Sequence, residues 1–285
     1  MNRLLKTISL IFLGTIAIAS CDKIDNDNYI VFSGVEGEWL DGNGVEDHSQ
    51  RAIIEKYTGV RCVNCPTADS AIYVAQNHYG DKLIAIAIHD SSTFTTPYGD
   101  NPCLSTPDGQ TWSVYFGVRA SGAYPNALVN RTLNGTSWDL FSPTSSINSR
   151  VDDITNSPAT VALQVNATRQ ESTITITVDV ELLNSITDKM TLTLLSIEDS
   201  INATQKMPNG TPNHDYIHNH VLRDVITDVW GTDIACEGNS GEKRMALFTY
   251  SANAEWDLNN CHIVAFVSDK ESRQIINVAE CEIEQ

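Results

Sequence analysis

The feature that most constrains this chain is a pair of cysteines that directly follows an apolar run. The stretch "EKYTGVRCVNCP" places Cys62 and Cys65 three residues apart. The "RAIIEKY" run before them predicts a buried strand, and the stretch from Cys62 to Gly80 predicts a helix. The two cysteines therefore lie where a strand passes into a helix, which predicts an α/β arrangement for this part of the chain.

The first residues predict export from the cytoplasm. Residues 1–20 combine the positive residues Arg3 and Lys6, a short apolar run and the ending "IASC", which favours a signal peptide over a membrane span. The ending resembles the lipobox of bacterial lipoproteins, in which Cys21 becomes the acylated first residue. An ordinary signal peptide with a chance cysteine is the alternative. The polar, acidic stretch that follows predicts a flexible tether over residues 21–49.

The charge of the chain argues against two classes of partner. The formal net charge is −18, and loss of residues 1–20 with Arg3 and Lys6 makes it −20. Such an acidic protein repels nucleic acid and anionic lipid surfaces. Nucleic acid is therefore not an expected partner, whereas the lipid anchor that the lipobox resemblance implies makes a membrane an expected one.

Two segments of different pattern follow the tether. Residues 50–157 alternate strand-like and helical runs, whereas residues 158–285 consist of Thr-, Ile- and Val-rich alternating runs. In the first segment "KLIAIAIH" predicts a central strand, and Thr106 predicts the N-cap of a helix. A turn with Pro125, a short strand and a polar-faced helix complete this segment.

The order of these elements resembles a known domain. Strand, C-x-x-C, helix, strand, helix, proline turn, strand and helix is similar to a thioredoxin-like domain, in which Cys62, Cys65 and Pro125 occupy the cysteine and cis-proline positions. The stretches "EKYTGVRCVNCP", "AYPNALVNR" and "DYIHNHVLR" resemble the twenty-eight-kilodalton outer-membrane-protein-related family of Gram-negative lipoproteins. That resemblance implies a thioredoxin-like domain over residues 50–157, a β-rich domain after it and an outer-membrane location.

The resemblance implies thiol–disulfide exchange as the candidate chemistry. Exchange needs a thiolate that attacks a disulfide and a second thiol that resolves the intermediate, so we assign Cys62 as nucleophile and Cys65 as resolving thiol. The start of a helix and the neighbouring Arg61 both favour a thiolate at Cys62. A cis Tyr124–Pro125 bond would present backbone groups to a bound peptide, so we expect Tyr124 and Pro125, together with Arg61, to bind the substrate.

One residue departs from the thioredoxin pattern. The buried acid expected six residues before the first cysteine is replaced by Lys56, and Glu55 lies on the opposite face of the strand. The alternative for Cys62 and Cys65 is therefore a structural disulfide. Zinc is disfavoured because no second Cys/His pair lies nearby, and we predict no metal and no cofactor.

The second segment predicts an immunoglobulin-like β-sandwich, because about seven alternating strands are separated by turn-rich gaps. A hairpin that turns near Glu271 would place Cys261 opposite Cys281, which predicts a disulfide. For Cys103 and Cys236, a bridge and two free thiols both stay open.

Three histidines and several missing motifs complete the sequence evidence. The stretch "NHDYIHNHVLR" carries His214, His218 and His220. His218 and His220 would share one strand face and suggest a metal site, but polar positions on a solvated strand are the favoured interpretation. The sequence contains no Gly-rich phosphate loop, no G-x-S-x-G elbow and no zincin helix, so hydrolase and nucleotide-binding functions have no support.

Two functions follow from the sequence. The first is a lipid-anchored thiol–disulfide oxidoreductase that acts on envelope proteins. The second is a non-catalytic surface lipoprotein that binds a protein or a glycan through the β-sandwich. Whether the protein faces the periplasm or the cell surface stays open.

Overall fold

Apolar strands form the centre of the C-x-x-C region. In the computed structural model, which describes residues 39–90 and 93–285, β2 (Ala52–Thr58) and β3 (Leu83–His89) pair in parallel. Every residue of both strands is buried, as expected for strands whose two faces are covered. β4 (Asn126–Val129) pairs antiparallel with the other edge of β2. The three strands predicted in this region are therefore confirmed.

Helices cover both faces of these strands. One face, which includes Ile54, packs against the first and last helices, and the other, which includes Ile53, packs against the second helix and the residues after it. The second helix begins as predicted, because the Thr106 hydroxyl accepts a hydrogen bond from the Gly109 amide at 3.1 Å. Within the described ranges no helix combines the length and the hydropathy needed to span a membrane. The helices are α1 (Cys65–Tyr79), α2 (Pro107–Tyr115), α3 (Val118–Ser121) and α4 (Ile147–Thr155), with a 3-10 turn at Gly80–Lys82.

The second half of the chain consists of long strands around a second apolar core. All seven strands predicted there are present, and their alternate residues build this second core. The long strands are β7 (Val161–Gln170), β8 (Thr173–Leu182), β9 (Met190–Glu198), β14 (Val221–Val225), β16 (Lys243–Ser251), β17 (Cys261–Asp269) and β18 (Ile275–Glu284). The short strands are β1 (Trp39–Asp41), β5 (Leu133–Asn134), β6 (Ser137–Trp138), β10 (Ile201–Asn202), β11 (Gln205–Lys206), β12 (Pro212–Asn213), β13 (Ile217–His218) and β15 (Thr232–Asp233).

One sheet runs through both segments. Its strand order is β1-β16-β8-β7-β18-β17-β9-β14-β3-β2-β4, with β15 paired to β9. The junction is a parallel contact between β14 and β3 at Val221 and Ala87, and the Ala87 amide donates to the His220 carbonyl at 2.7 Å. The described residues all belong to one compact unit. The boundary between residues 157 and 158 falls in the loop between α4 and β7 and stays a prediction.

A buried ion pair lies where the two segments meet. The Arg131 guanidinium donates three hydrogen bonds of 2.7 to 3.1 Å to the Glu55 carboxylate. Both side chains are almost fully buried. The guanidinium lies 4.6 to 4.9 Å from the ring centroids of Trp112, Phe116 and Phe266. Because Phe266 belongs to β17, this cluster joins the C-x-x-C region to the β-rich half.

The end of the predicted tether is folded, which corrects the range 21–49. β1 pairs with β16, and the Trp39 indole donates to the Asp233 carbonyl at 3.0 Å. Val45 is buried. Trp39 packs against the core of the β-rich half, and the Val45 amide donates to the Glu181 carboxylate at 2.9 Å, so both ends of this stretch are held against that half. The predicted signal peptide, Cys21 and the rest of the tether lie outside the described residues.

The predicted Cys261–Cys281 disulfide is also corrected. Cys281 lies opposite Ile263, and both cysteines are free thiols in the structure. The loop between the strands is centred slightly later than Glu271, and a β-bulge at Ile276 adds a residue to β18. Together these changes shift the register by two residues, so the two cysteines are not cross-strand partners.

We expect Glu55→Ala to lower the free energy of unfolding by about 3–5 kcal/mol, because it leaves the Arg131 charge buried without its partner. Asp139→Ala is the matched control, since it breaks the partly exposed pair with Arg150 and should cost about 0–1 kcal/mol. Urea unfolding followed by circular dichroism measures both. Equal losses in the two variants would contradict the importance assigned to the buried pair.

Candidate redox site

The two cysteines form a disulfide immediately after β2. Cys62 and Cys65 are bonded, with their Cα atoms 5.5 Å apart. α1 begins at Cys65 with Asn64 as its N-cap and Pro66 in its first turn. The prediction that Cys62 opens the helix is corrected, because Cys62 lies in the turn before α1. The positive end of the helix dipole therefore lies at Cys65, at the far side of the disulfide.

The disulfide is buried. Cys62 is 2% exposed and Cys65 is fully buried. The residues before it lie against a neighbouring loop, since the Arg61 amide donates to the Phe94 carbonyl at 2.8 Å. A Cβ atom added at Gly59 would lie 2.6 Å from the same carbonyl oxygen. Glycine at position 59 therefore allows this close backbone approach.

The Arg61 side chain binds this loop at residues 96–98. Its guanidinium donates to the carbonyls of Thr96 at 2.7 Å and Pro97 at 2.9 Å, and it lies 4.1 Å from the Tyr98 ring centroid. These contacts hold the loop against the C-x-x-C turn. The expected roles of Arg61 in activating Cys62 and in binding a substrate stay predictions.

A hairpin from the β-rich half lies over the same turn. This segment, residues 201–218, is called the cover hairpin here. β10 pairs with β13 and β11 pairs with β12, and neither pair hydrogen-bonds to the main sheet. The hairpin turns at Asn209 and Gly210, and the Met207 amide donates to the Thr211 carbonyl at 2.8 Å. Gly210 has a φ of 84°, which an Asn-Gly turn accommodates easily.

The cover hairpin contacts the backbone on both sides of Arg61. The Lys206 amide donates to the Val60 carbonyl at 2.8 Å. The Gln205 side-chain amide donates to the Cys62 carbonyl at 2.9 Å, and this bond is buried. The hairpin thus contributes directly to the surroundings of the disulfide.

An apolar cluster lies behind these hydrogen bonds. Ala203 of the hairpin packs in one buried cluster with Val60, Leu104 and Val221. The cluster combines residues from the C-x-x-C turn, the loop before α2, the hairpin and β14. It excludes water from one side of the turn.

Polar groups lie below α1, on the other side of the site. Lys56 forms a close ion pair with Asp69, which also accepts a hydrogen bond from the Tyr216 hydroxyl at 2.7 Å. Asp69 lies one helical turn after Cys65, so the two residues share a face of α1. Burial lowers the pKa of Lys56 to about 7, although the neighbouring carboxylate favours the charged form. A buried lysine paired with a carboxylate therefore occupies the position at which the sequence resemblance implies an acid.

Two buried histidines extend this group. The His89 and His218 ring centroids are 5.5 Å apart, and His218 Nε2 lies 3.1 Å from the Ala203 carbonyl oxygen. Neither ring nitrogen of His89 has a hydrogen-bond partner among the described residues. Burial lowers the pKa of His89 well below its usual value, and that of His218 to about 4. With Lys56, the two histidines line a cavity of about 80 Å³.

The solvated strand predicted for the three histidines is wrong for His218, which is buried against His89. His220 has a positive φ just before β14 and lies 3.3 Å from Asp199, and His214 lies 3.1 Å from the Thr204 hydroxyl. In residues 39–90 and 93–285, no group of three or more His, Cys, Asp or Glu side chains is arranged to hold a metal ion.

The Tyr124 ring of the proline turn packs on the face of the strands that includes Ile53. The Tyr124–Pro125 peptide bond is cis, as expected, and Pro125 is buried just before β4. The Tyr124 hydroxyl donates to the Asp90 carboxylate, which also accepts from Ser113, and burial raises the pKa of Asp90. The predicted contact of Tyr124 and Pro125 with a bound peptide stays a prediction.

Several residues of the site were missed by sequence reasoning. They lie within α1, at the end of β3 or in the gap between two predicted strands, and only the fold defines their neighbours. The one available signal was the Asn209–Gly210 dipeptide, a strong hairpin indicator. Of the two alternatives for Cys103 and Cys236, the structure has free thiols. The missed residues are Asp69, His89, Asp90, Gln205, Lys206 and Tyr216.

The fold and the site define a mixed α/β protein with a C-x-x-C disulfide between a central strand and a helix. The model of the family described as outer membrane protein Omp28 matches residues 111–285, more than half of the chain. The chain therefore belongs to the Omp28 outer membrane protein family, which confirms the family resemblance and supports a location in the cell envelope. The disulfide lies before the matched residues.

Solved structures show where the fold recurs. HBP35 of Porphyromonas gingivalis is 16% identical over 83% of this chain and 76% of its own, with a TM-score of 0.65. A protein from Agrobacterium tumefaciens is 14% identical over 84% of this chain and 96% of its own, with a TM-score of 0.52. A domain of the outer membrane lipoprotein Omp28 from P. gingivalis is 21% identical over 44% of this chain and 89% of its own, but its TM-score of 0.33 is too low to support an argument about the fold. No curated protein sequence matches the chain.

The buried histidines predict a loss of stability in acid. Because His218 is harder to protonate in the folded state than in the unfolded state, the unfolded state binds more protons as the pH falls from about 6.5 towards 4. Between pH 7 and pH 5 we expect the free energy of unfolding to fall by about 2 kcal/mol more in the wild type than in the His218→Gln variant.

Urea unfolding at both pH values measures this difference. His78→Gln is the control, because His78 is exposed on α1 and its replacement should leave the pH dependence of the wild type. An identical pH dependence in the wild type and His218→Gln would show that His218 does not contribute.

Proposed function

We propose that this protein is an outer-membrane lipoprotein that carries out thiol–disulfide exchange on cysteine-containing envelope proteins. In this proposal residues 50–157 form a thioredoxin-like domain and residues 158–285 an immunoglobulin-like sandwich. The observation that carries the proposal is the disulfide between Cys62 and Cys65, placed between the end of β2 and the first turn of α1.

The proposed reaction oxidises a dithiol of a partner protein. A partner thiolate attacks Cys62 Sγ, the Cys62–Cys65 bond breaks, and Cys65 leaves as a thiolate that takes up a proton. The second partner thiol then loses its proton and attacks the mixed disulfide, which releases Cys62 as a thiolate that is protonated in turn. The partner loses two electrons and two protons, and the cysteine pair gains them.

The first cysteine, Cys62, is assigned to the attacked position because it precedes the helix. Cys65 is the better leaving group, since the start of α1 stabilises a thiolate at that position. In the reverse direction Cys62 is the nucleophile and Cys65 resolves the mixed disulfide.

We further propose that the protein is anchored through an acyl chain on Cys21. Support comes from the "IASC" motif and from the family assignment. Cys21→Ser should abolish the incorporation of labelled palmitate and move the protein from the membrane fraction to the soluble fraction. Unchanged labelling in this variant would exclude Cys21 as the anchor.

A second candidate function is favoured by the burial of the disulfide. Reactive cysteines are usually partly exposed, whereas buried ones are inert, and here both cysteines are at most 2% exposed. In this candidate the disulfide is structural, and the protein binds a protein or glycan partner without catalysis.

The reduction potential of the Cys62–Cys65 pair separates the two functions. We expect a value between about −270 and −120 mV, the range of exchange catalysts, from equilibration with glutathione and mass-spectrometric counting of alkylated thiols. Cys103→Ser serves as the control, because that free thiol should not change the potential. A value below about −300 mV would favour the structural candidate.

A further inference from the structure

We propose that the cover hairpin is a removable shield over the Cys62–Cys65 disulfide, so that exchange requires the hairpin to move away from the C-x-x-C turn. This inference rests on the exchange function proposed above and adds the step that controls access to the cysteines. The observations behind it are the contacts that residues 201–218 make around the C-x-x-C turn. The exchange reaction itself does not require these contacts.

The hairpin closes the turn at two neighbouring points. The Lys206 amide binds the Val60 carbonyl, and the Gln205 side chain binds the Cys62 carbonyl, at 2.8 and 2.9 Å. Gln205 is itself 2% exposed. Its buried amide is satisfied by this bond and by a bond to the Lys206 carbonyl at 3.0 Å, so the closed position is well defined.

A third contact ties the base of the hairpin to α1. The Tyr216 hydroxyl donates to the Asp69 carboxylate at 2.7 Å. The Thr204 amide also donates to the Asn101 side chain at 2.6 Å. The hairpin therefore bridges the turn, the first helix and the loop before α2, which are the elements around the disulfide.

The architecture of the hairpin makes its removal less costly than global unfolding. Its two short ladders are separate from the main sheet, and two-stranded hairpins are only marginally stable by themselves. Cys62 and Cys65, by contrast, are fixed by the central strand β2 and by α1. Segments whose strands lie outside the main sheet can open locally at a lower free energy than the whole protein, so the hairpin can open while the C-x-x-C region stays folded.

The test is the rate at which tris(2-carboxyethyl)phosphine reduces the disulfide in variants of the hairpin. Gln205→Ala removes the bond to Cys62, and Tyr216→Phe removes the bond to Asp69. We expect each to speed reduction about five- to tenfold at pH 7, because each loses one hydrogen bond that holds the hairpin closed. Alkylation and mass spectrometry follow the reaction.

Two matched variants control for unspecific effects. They are Gln170→Ala and Tyr73→Phe. Gln170 lies at the exposed end of β7, and Tyr73 lies on the exposed face of α1. Both should be reduced at the wild-type rate. The melting temperature of every variant and the hydrogen exchange of the Lys206 amide show whether the fold is kept and whether the hairpin itself has loosened.

The outcomes separate this inference from the exchange function. Faster reduction of the two hairpin variants, with a Cys62–Cys65 potential in the range of exchange catalysts, supports the shield. Wild-type rates in both hairpin variants, together with faster exchange of the Lys206 amide, would overturn the shield and leave the exchange function intact. Faster reduction with a potential below about −300 mV would overturn the exchange function, and with it the regulatory role of the hairpin.

Discussion

The structure depends on the buried ion pair between Glu55 and Arg131. Two charges out of water are tolerated only when each satisfies the other with good geometry, and here the guanidinium also lies against three aromatic rings. Glu55 belongs to β2, the strand that ends at the C-x-x-C turn, while Phe266 belongs to the β-rich half. The pair therefore sets the position of β2 relative to β17.

This constraint explains how one sheet serves both halves of the chain. Side chains of β2 and β3 pack with those of β9 and β17 in one cluster. The edge of β3 then pairs in parallel with β14. The cover hairpin lies between β9 and β14 in sequence. Because β14 pairs with β3, residues 201–218 lie next to the C-x-x-C turn. Opposite charges occupy the two faces of β2, since Glu55 points to the aromatic cluster and Lys56 to Asp69. The C-x-x-C turn is consequently contacted by a polar segment that the other half of the chain supplies.

Much of the fold could be predicted because its signals are local. The runs that form β2 and β3 are uniformly apolar, Thr106 caps α2, and the strands of the second half alternate clearly. The register of β17 and β18 could not be predicted, because a bulge at Ile276 carries no distinct sequence signal. The folding of residues 39–49 depends on a docking surface that only the tertiary structure provides.

The site was predicted only where its residues form local sequence motifs. Cys62, Cys65 and the cis bond at Pro125 follow from local motifs. Gln205, by contrast, is 143 residues from Cys62 in sequence, and Tyr216 is 147 residues from Asp69. Lys56 was noted as a departure, but its partner Asp69 becomes evident only when α1 packs on β2. The burial of the disulfide is likewise a property of the whole assembly, and it decides how the cysteines can react.

The most direct test of this account is the rate of disulfide reduction as a function of urea, at concentrations below the unfolding transition. Local opening of the hairpin exposes little surface, so the rate should stay nearly constant as urea is added. If reduction required global unfolding, the logarithm of the rate would rise with the full urea dependence of unfolding. A nearly flat profile is the result that the account predicts, and a steep one would contradict it.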